Sequence, residues 1–128
     1  MKKLYLSLVI LFIILLIGFT FNKSDTVKNG TYIMVQDKAD PGVLPYIIIA
    51  DKKFTFTYDL LSSYNAAGNY STENGKLTMK TDDNQYTYVF LIDGNNLLFQ
   101  EKESSPIKMK NDKSGIKIEN NTKFHRKR

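Results

Sequence analysis

The hydrophobic positions of the chain follow two different patterns. Residues 4–21 form one run of uncharged, mostly apolar side chains directly after Lys2 and Lys3. From residue 30 onward, apolar segments are short and are separated by polar, turn-forming sequences. The first pattern is typical of a membrane-spanning helix or an export signal. The second pattern is typical of antiparallel strands joined by tight turns.

The N-terminal run predicts a single transmembrane anchor over residues 1–21, and a cleaved signal peptide is the alternative. As a helix, residues 4–21 would rise about 27 Å, close to the roughly 30 Å thickness of a bilayer core. Bulky Phe19 and Phe21 make the junction a poor cleavage site, although Gly18 and Thr20 are small enough to serve.

The charges that flank this run predict the compartment. Lys2 and Lys3 favour a cytoplasmic N-terminus. We therefore expect a single-pass protein of the cell membrane whose C-terminal domain is extracytoplasmic, or a secreted protein if the segment is cleaved.

The remaining chain predicts an all-β fold. Asn74-Gly75 and Asp93-Gly94-Asn95 are hairpin signals, because Asn and Gly tolerate positive φ. A run of hairpins must hide its edges, which favours closure into a small antiparallel up-and-down β-barrel. The predicted strands lie at 31–35, 44–50, 54–58, 68–72, 76–80, 85–92 and 97–100, with weaker candidates at 107–110 and 115–119.

Charge divides the chain after the predicted anchor. Residues 22–107, the predicted barrel domain, carry eight Lys and eleven Asp or Glu, whereas residues 108–128 carry eight Lys or Arg and two acidic residues. We interpret 108–128 as a basic C-terminal strand or tail. It could bind an anionic surface through Lys123, Arg126, Lys127 and Arg128, or it could be a solubilising end. Nucleic-acid binding is not expected, because the aromatic region is acidic.

The stretch from Tyr46 to Pro106, about half of the chain, resembles small secreted or membrane-anchored bacterial domains with a lipocalin-like β-barrel. This resemblance implies the barrel fold and no catalytic residues. The lipid-modified cysteine of lipoproteins is absent, so attachment would be through the helix. The matching segments are 54–56, 61–64, 68–70, 74–77, 81–83, 86–90, 93–97 and 104–105.

Candidate catalytic and metal-binding residues form no recognisable pattern. The chain has no Cys, and its single His, His125, lies in a cationic segment without suitable neighbours. The acidic residues of 37–40 and 82–83 do not follow a calcium-loop pattern, and Asp is common in turns because it bonds local amides. Ser62-Ser63 and Ser104-Ser105 have no base at a recognisable spacing. We expect no enzyme activity, no metal and no cofactor.

Aromatic residues are the one enriched feature outside the anchor. Tyr combines apolar area with a polar tip, so it suits a binding face or the opening of a barrel. The candidate ligand- or partner-binding residues are Tyr58, Ser63, Tyr64, Tyr70 and Tyr88. The alternative is that these tyrosines fill the core.

The expected function is that of a non-catalytic extracytoplasmic binding domain for a small apolar ligand or a protein partner. The alternatives are a structural or interaction subunit of the cell envelope and, less favoured, a hydrolase that uses dispersed carboxylates.

Overall fold

A computed structural model describes residues 2–10, 26–36, 44–59, 62–109 and 116–128. Eight antiparallel strands form one closed barrel in the order β1 to β8. Their bounds are β1 Gly30–Met34, β2 Tyr46–Ala50, β3 Lys53–Thr57, β4 Ala66–Glu73, β5 Lys76–Thr81, β6 Thr87–Asp93, β7 Asn96–Phe99 and β8 Lys123–Lys127, with a short 3-10 helix at Glu101–Glu103. The predicted all-β, antiparallel barrel is confirmed.

Residues 2–10 are helical and expose their apolar side chains: Leu4, Tyr5 and Leu8 are 71%, 74% and 59% exposed. Within the ranges given above, no helix has both the length and the apolar composition needed to cross a bilayer. Residues 11–21 of the predicted anchor lie outside the described residues, so the anchor remains a prediction.

The barrel has two distinct ends. At the first, the hairpin end, two-residue turns join β2 to β3, β4 to β5 and β6 to β7, and the same end contains the start of β1 and the end of β8. At the opposite end, the loop end, lie the connections β1–β2, β3–β4, β5–β6 and β7–β8. Asn74 and Gly75 both adopt positive φ, as the hairpin signal requires.

Alternating side chains fill the barrel interior. Phe54 and Phe56 of β3, Leu77 and Met79 of β5, and Leu97 and Phe99 of β7 are all buried, while their intervening neighbours are not. An eight-stranded barrel is just wide enough for side chains to fill it. The core residues are Tyr32, Met34, Ile47, Ile49, Phe54, Phe56, Ala66, Leu77, Met79, Tyr88, Phe90, Leu97, Phe99 and Phe124.

Strand β8 closes the barrel and lies in the segment 108–128, for which a basic strand or a tail was expected, although no strand was predicted at 123–127. Phe124 lies opposite Met34 of β1 and Leu97 of β7, so the basic segment 123–127 is part of the wall. The weaker strand candidates at 107–110 and 115–119 are wrong, because 107–109 and 116–119 are not in strands. The eighth strand lies farther along, where Phe124 is the single core side chain among four polar or charged residues. Its pairing with two neighbours, rather than its hydrophobicity, makes it a strand.

Gly68 allows the backbones of β4 and β5 to approach each other closely near the loop end. A Cβ atom at this position would lie 2.0 Å from the backbone oxygen of Lys80, which no side chain tolerates. The backbone amide of Asp82 then donates to the carbonyl of Ala67 over 3.0 Å. Glycine is therefore required at position 68, where β4 lies against the end of β5.

We predict that Phe124→Ala lowers the free energy of unfolding by about 3–5 kcal/mol, because it removes a buried ring from the core. The Phe124 ring lies 5.8 Å from that of Phe56 and 5.6 Å from that of Phe90, between ring centroids. Urea denaturation followed by near-ultraviolet circular dichroism measures the change. His125→Ala on the exposed side of the same strand is the control, and we expect only a small effect. An equally small effect of Phe124→Ala would contradict a barrel closed by β8.

Candidate functional site

Four tyrosines gather at the loop end of the barrel, and we call Tyr58, Tyr64, Tyr86 and Tyr88 the tyrosine cluster. Tyr58 follows β3 and continues the inward-facing set begun by Phe54 and Phe56. Tyr86 comes just before β6, two residues ahead of buried Tyr88, and therefore lies on the same face as Tyr88. Because side chains alternate along a strand, the tyrosines at the end of β3 and at the start of β6 both face the barrel axis. Tyr64, in the β3–β4 connection, joins them.

The cluster is continuous with the core. The Tyr64 ring contacts that of Tyr86 edge to face at 5.2 Å, and Tyr86 stacks on Tyr88 at 6.3 Å. Tyr58 lies 6.1 Å from Tyr88 and 5.2 Å from Phe56. Tyr88 is fully buried, whereas the other three rings are partly exposed. The loop end thus has a rigid aromatic base beneath a partly exposed aromatic surface.

Asp83 in the β5–β6 turn fixes the outer edge of the cluster. Its Oδ2 accepts a hydrogen bond from the Tyr64 hydroxyl over 2.8 Å. Its Oδ1 accepts from the Thr81 hydroxyl over 2.6 Å and from the amide of Gln85 over 3.0 Å. Thr81, which is buried, in turn accepts from the amide of Tyr86 over 3.1 Å. One carboxylate therefore holds both Tyr64 and the turn that leads to Tyr86.

The titration properties of these groups follow from their contacts. The Thr81 hydroxyl, with further donation from Gln85 and Tyr64, holds the pKa of Asp83 below its ordinary value. Burial raises the pKa of Tyr64, and Asp83 adds to that shift. Burial also raises the pKa of Tyr88 far above its usual range, with the nearby Tyr58 as a second cause. Asp83 is therefore ionised at neutral pH, and Tyr64 and Tyr88 are protonated.

The Tyr88 hydroxyl lies beneath the surface of the cluster. Its oxygen is buried and forms no hydrogen bond to the described residues. A buried hydroxyl without a partner costs roughly 1–3 kcal/mol. The base of the tyrosine cluster therefore contains a poorly satisfied hydroxyl next to Tyr58.

The structure brings together only some of the predicted site residues. Tyr58, Tyr64 and Tyr88 lie in the cluster, and Ser63 is an exposed residue of the same β3–β4 connection. Tyr70 lies at the other end, because its amide donates over 3.1 Å to the carbonyl of Lys52 in the β2–β3 turn. The period of two along β4 could not show which end of the barrel Tyr70 occupies.

Sequence reasoning missed three contributors to the site: Tyr86, Thr81 and Asp83. The pattern Tyr86-Thr87-Tyr88 carried a signal for Tyr86, because both tyrosines lie on the same face of a strand. Asp83 was interpreted as a turn residue, which it is, since it accepts from the amide of Gln85. Its bond to Tyr64, from another connection, depends on the tertiary structure.

The other candidate groups have structural partners. The Ser62 hydroxyl accepts from the amide of Tyr64, and those of Ser104 and Ser105 accept from the β6 amides of Val89 and Thr87. His125 contacts Asn96 over 2.7 Å on the outer wall. Across the described part of the chain, no three His, Cys, Asp or Glu residues are grouped as a metal site would require.

No protein-family model, curated protein or solved structure matches this chain.

We predict that Thr81→Val raises the pKa of Asp83 toward its ordinary value, because it removes the donor with the largest effect while keeping the side-chain shape. Carboxyl carbon chemical shifts measured across an acid titration would show the change. The depressed pKa of Asp83 stabilises the fold at neutral pH, and this contribution disappears as the pH falls through the folded-state pKa. Thr78→Val on the same strand is the control. An unchanged Asp83 titration in Thr81→Val would contradict the assigned network.

Proposed function

We propose that the chain is a non-catalytic, membrane-anchored extracytoplasmic domain that binds a protein partner through the tyrosine cluster at its loop end. In this proposal the lipocalin-like barrel is a rigid support for a binding surface and does not enclose a ligand.

The filled barrel interior is the observation that carries this proposal. Tyr88, Phe56, Phe90 and Phe124 are at most 1% exposed and contact one another in edge-to-face and tilted arrangements. Barrels of this size either contain packed side chains or hold one small ligand. The rings at the centre of this barrel take the place that such a ligand would need, which favours a protein partner over a small apolar molecule.

The chemistry of the loop end suits protein recognition. Tyr is enriched at protein interfaces, because it offers a large rigid area and a hydrogen-bonding tip. Tyr64 and Tyr86 are partly exposed yet held in place by Asp83 and by contact with each other. Such preorganised side chains lose little conformational entropy on binding. Exposed Asp82 and Asp83 beside the rings favour a partner with a basic surface.

The N-terminal segment supports the membrane-anchored part of the proposal. The helical residues 2–10 expose a series of apolar side chains, and residues 11–21 continue the apolar run. An apolar surface of this kind is unfavourable in water, and a bilayer would cover it. The paired lysines before it favour export of the barrel.

To test partner binding, a photoreactive phenylalanine replaces Tyr64 in the full chain within the cells that produce it. We expect one discrete protein adduct after illumination, and the same group in place of Ser71 on the outer wall should give none. Because the proposed partner is basic, the adduct should weaken with rising salt concentration. It should also weaken with Asp82→Asn, whereas Asp51→Asn at the hairpin end is the matched control.

Adducts of equal yield at 64 and 71, or an adduct that responds equally to Asp82→Asn and Asp51→Asn, would contradict the proposed site. Absence of any adduct at 64 would contradict protein binding by the cluster.

A second prediction separates a protein partner from a small apolar ligand. We expect the folded chain to show no saturable binding of a naphthalene-based fluorescent probe to the barrel, because the interior is occupied by side chains. Phe90→Ala would open a cavity next to Phe99 and Phe124 and should create such binding if the barrel stays folded. Stoichiometric binding by the unaltered chain, lost in Tyr88→Ala, would instead favour an enclosed ligand.

A further inference from the structure

The hairpin end of the barrel carries a group of cations that are far apart in the sequence. Lys28 precedes β1, Lys52 and Lys53 belong to the β2–β3 turn and the start of β3, and Arg126 to Arg128 end the chain beside β1. All except Arg126 are exposed, and Arg126 is partly so. The carboxylates described at this end are Asp51, Glu73 and Asp93. We call these six cations the basic face.

The described part of the loop end has no such excess of positive charge. Its described acidic residues are Asp59, Asp82, Asp83, Glu101 and Glu119, and its described basic residues are Lys80, Lys102, Lys108, Lys117 and Lys123. Lys76 and Glu103 form an ion pair of 2.7 Å along the outer wall, so their charges cancel. The hairpin end, with six cations against three carboxylates, is therefore the more positive of the two ends.

Strand β8 places the basic face next to the point where the N-terminal segment enters the barrel. The Nε of Arg126 donates to the carbonyl of Asn29 over 2.9 Å, and Lys127 lies opposite Thr31 in β1. A Cβ atom at Gly30 would lie 2.9 Å from the same Arg126 Nε, so the guanidinium packs against the first residue of the barrel. The C-terminal cations are thus folded around the end that is joined to the predicted anchor.

The connecting segment keeps this end near the bilayer. Residues 22–29 separate the apolar run from Gly30, and even fully extended they span at most about 30 Å. Of the two ends of the barrel, the hairpin end is the one tied to the membrane by this short segment. Electrostatic attraction acts over about 8 Å at physiological ionic strength, so the basic face must lie close to the headgroups to be effective.

We propose that the basic face docks on anionic lipid headgroups of the membrane in which the chain is anchored, and that this contact orients the barrel with its loop end outward. The proposal rests on the membrane attachment proposed above. The two ends of the barrel then bind different molecules: the hairpin end contacts lipid, and the tyrosine cluster at the loop end contacts the protein partner. Lys123, one of the four residues expected to bind an anionic surface, lies at the other end of β8 and takes no part.

The test measures which end of the full chain lies nearer to the bilayer. The chain has no Cys, so a single introduced thiol accepts one fluorescent donor. Glu73→Cys labels the hairpin end and Asp82→Cys the loop end, and both replace one exposed acidic residue. The labelled chains are reconstituted into vesicles of phosphatidylcholine with phosphatidylglycerol, or of phosphatidylcholine alone, that contain an acceptor on a lipid headgroup.

We expect stronger energy transfer from position 73 than from position 82 in the phosphatidylglycerol vesicles. This difference should decrease in phosphatidylcholine alone, at high salt, and when Lys52, Lys127 and Arg128 are all replaced by Gln. Replacement of Lys102, Lys117 and Lys123 by Gln removes the same charge from exposed positions elsewhere and should leave the difference unchanged.

Equal transfer from both labels, or equal losses in the two triple variants, would overturn the proposal. A difference that persists in phosphatidylcholine and in the hairpin-end variant would also overturn it, because the connecting segment alone would then orient the barrel. Failure of the chain to enter either kind of vesicle would reject the anchor itself. Photocrosslinking at position 64 is a separate measurement, so a failed orientation test leaves partner binding to be judged independently.

Discussion

Contact among aromatic rings at the centre of the barrel is the interaction on which the rest of the structure depends. Phe56, Phe90 and Phe124 come from β3, β6 and β8, and their ring centroids lie within 6 Å of one another. Edge-to-face geometry adds favourable electrostatics to the apolar area that each ring buries. Because each ring belongs to a different strand, the core can form only when the sheet closes. Closure leaves the hydrogen-bonding edges of β1 and β8 paired with each other.

The packed core also determines where function can reside. A barrel whose axis is occupied by side chains offers its walls and its two ends for recognition. The ends differ in the side chains that they expose and in their charge. At one end, Asp83 and Thr81 secure partly exposed tyrosines; at the other, tight turns present lysines and the C-terminal arginines. This polarity suits a domain attached to a surface on one side and facing a partner on the other.

Much of the architecture could be predicted from local signals. The Asn74-Gly75 hairpin formed as expected because both residues can adopt positive φ, and the alternating Phe54-Thr55-Phe56 segment became a strand with its aromatics inside. Strand β8 could not be predicted in the same way, because one Phe among charged residues carries no hydrophobic periodicity. Nor could the sequence show which candidate residues lie together. Tyr58, Tyr64 and Tyr88 meet at the loop end, whereas Tyr70 lies beside Lys52 at the hairpin end.

The sequence by itself determined the strands with regular alternation, the tight turns between them and the unequal charge of residues 22–107 and 108–128, because each is a property of neighbouring residues. Only the tertiary structure decided that the basic C-terminus pairs with β1, that the interior is filled and that Asp83 holds Tyr64. Those outcomes depend on which strands become neighbours when the sheet closes. The shear and circumference of a barrel are global quantities that no short stretch of residues specifies.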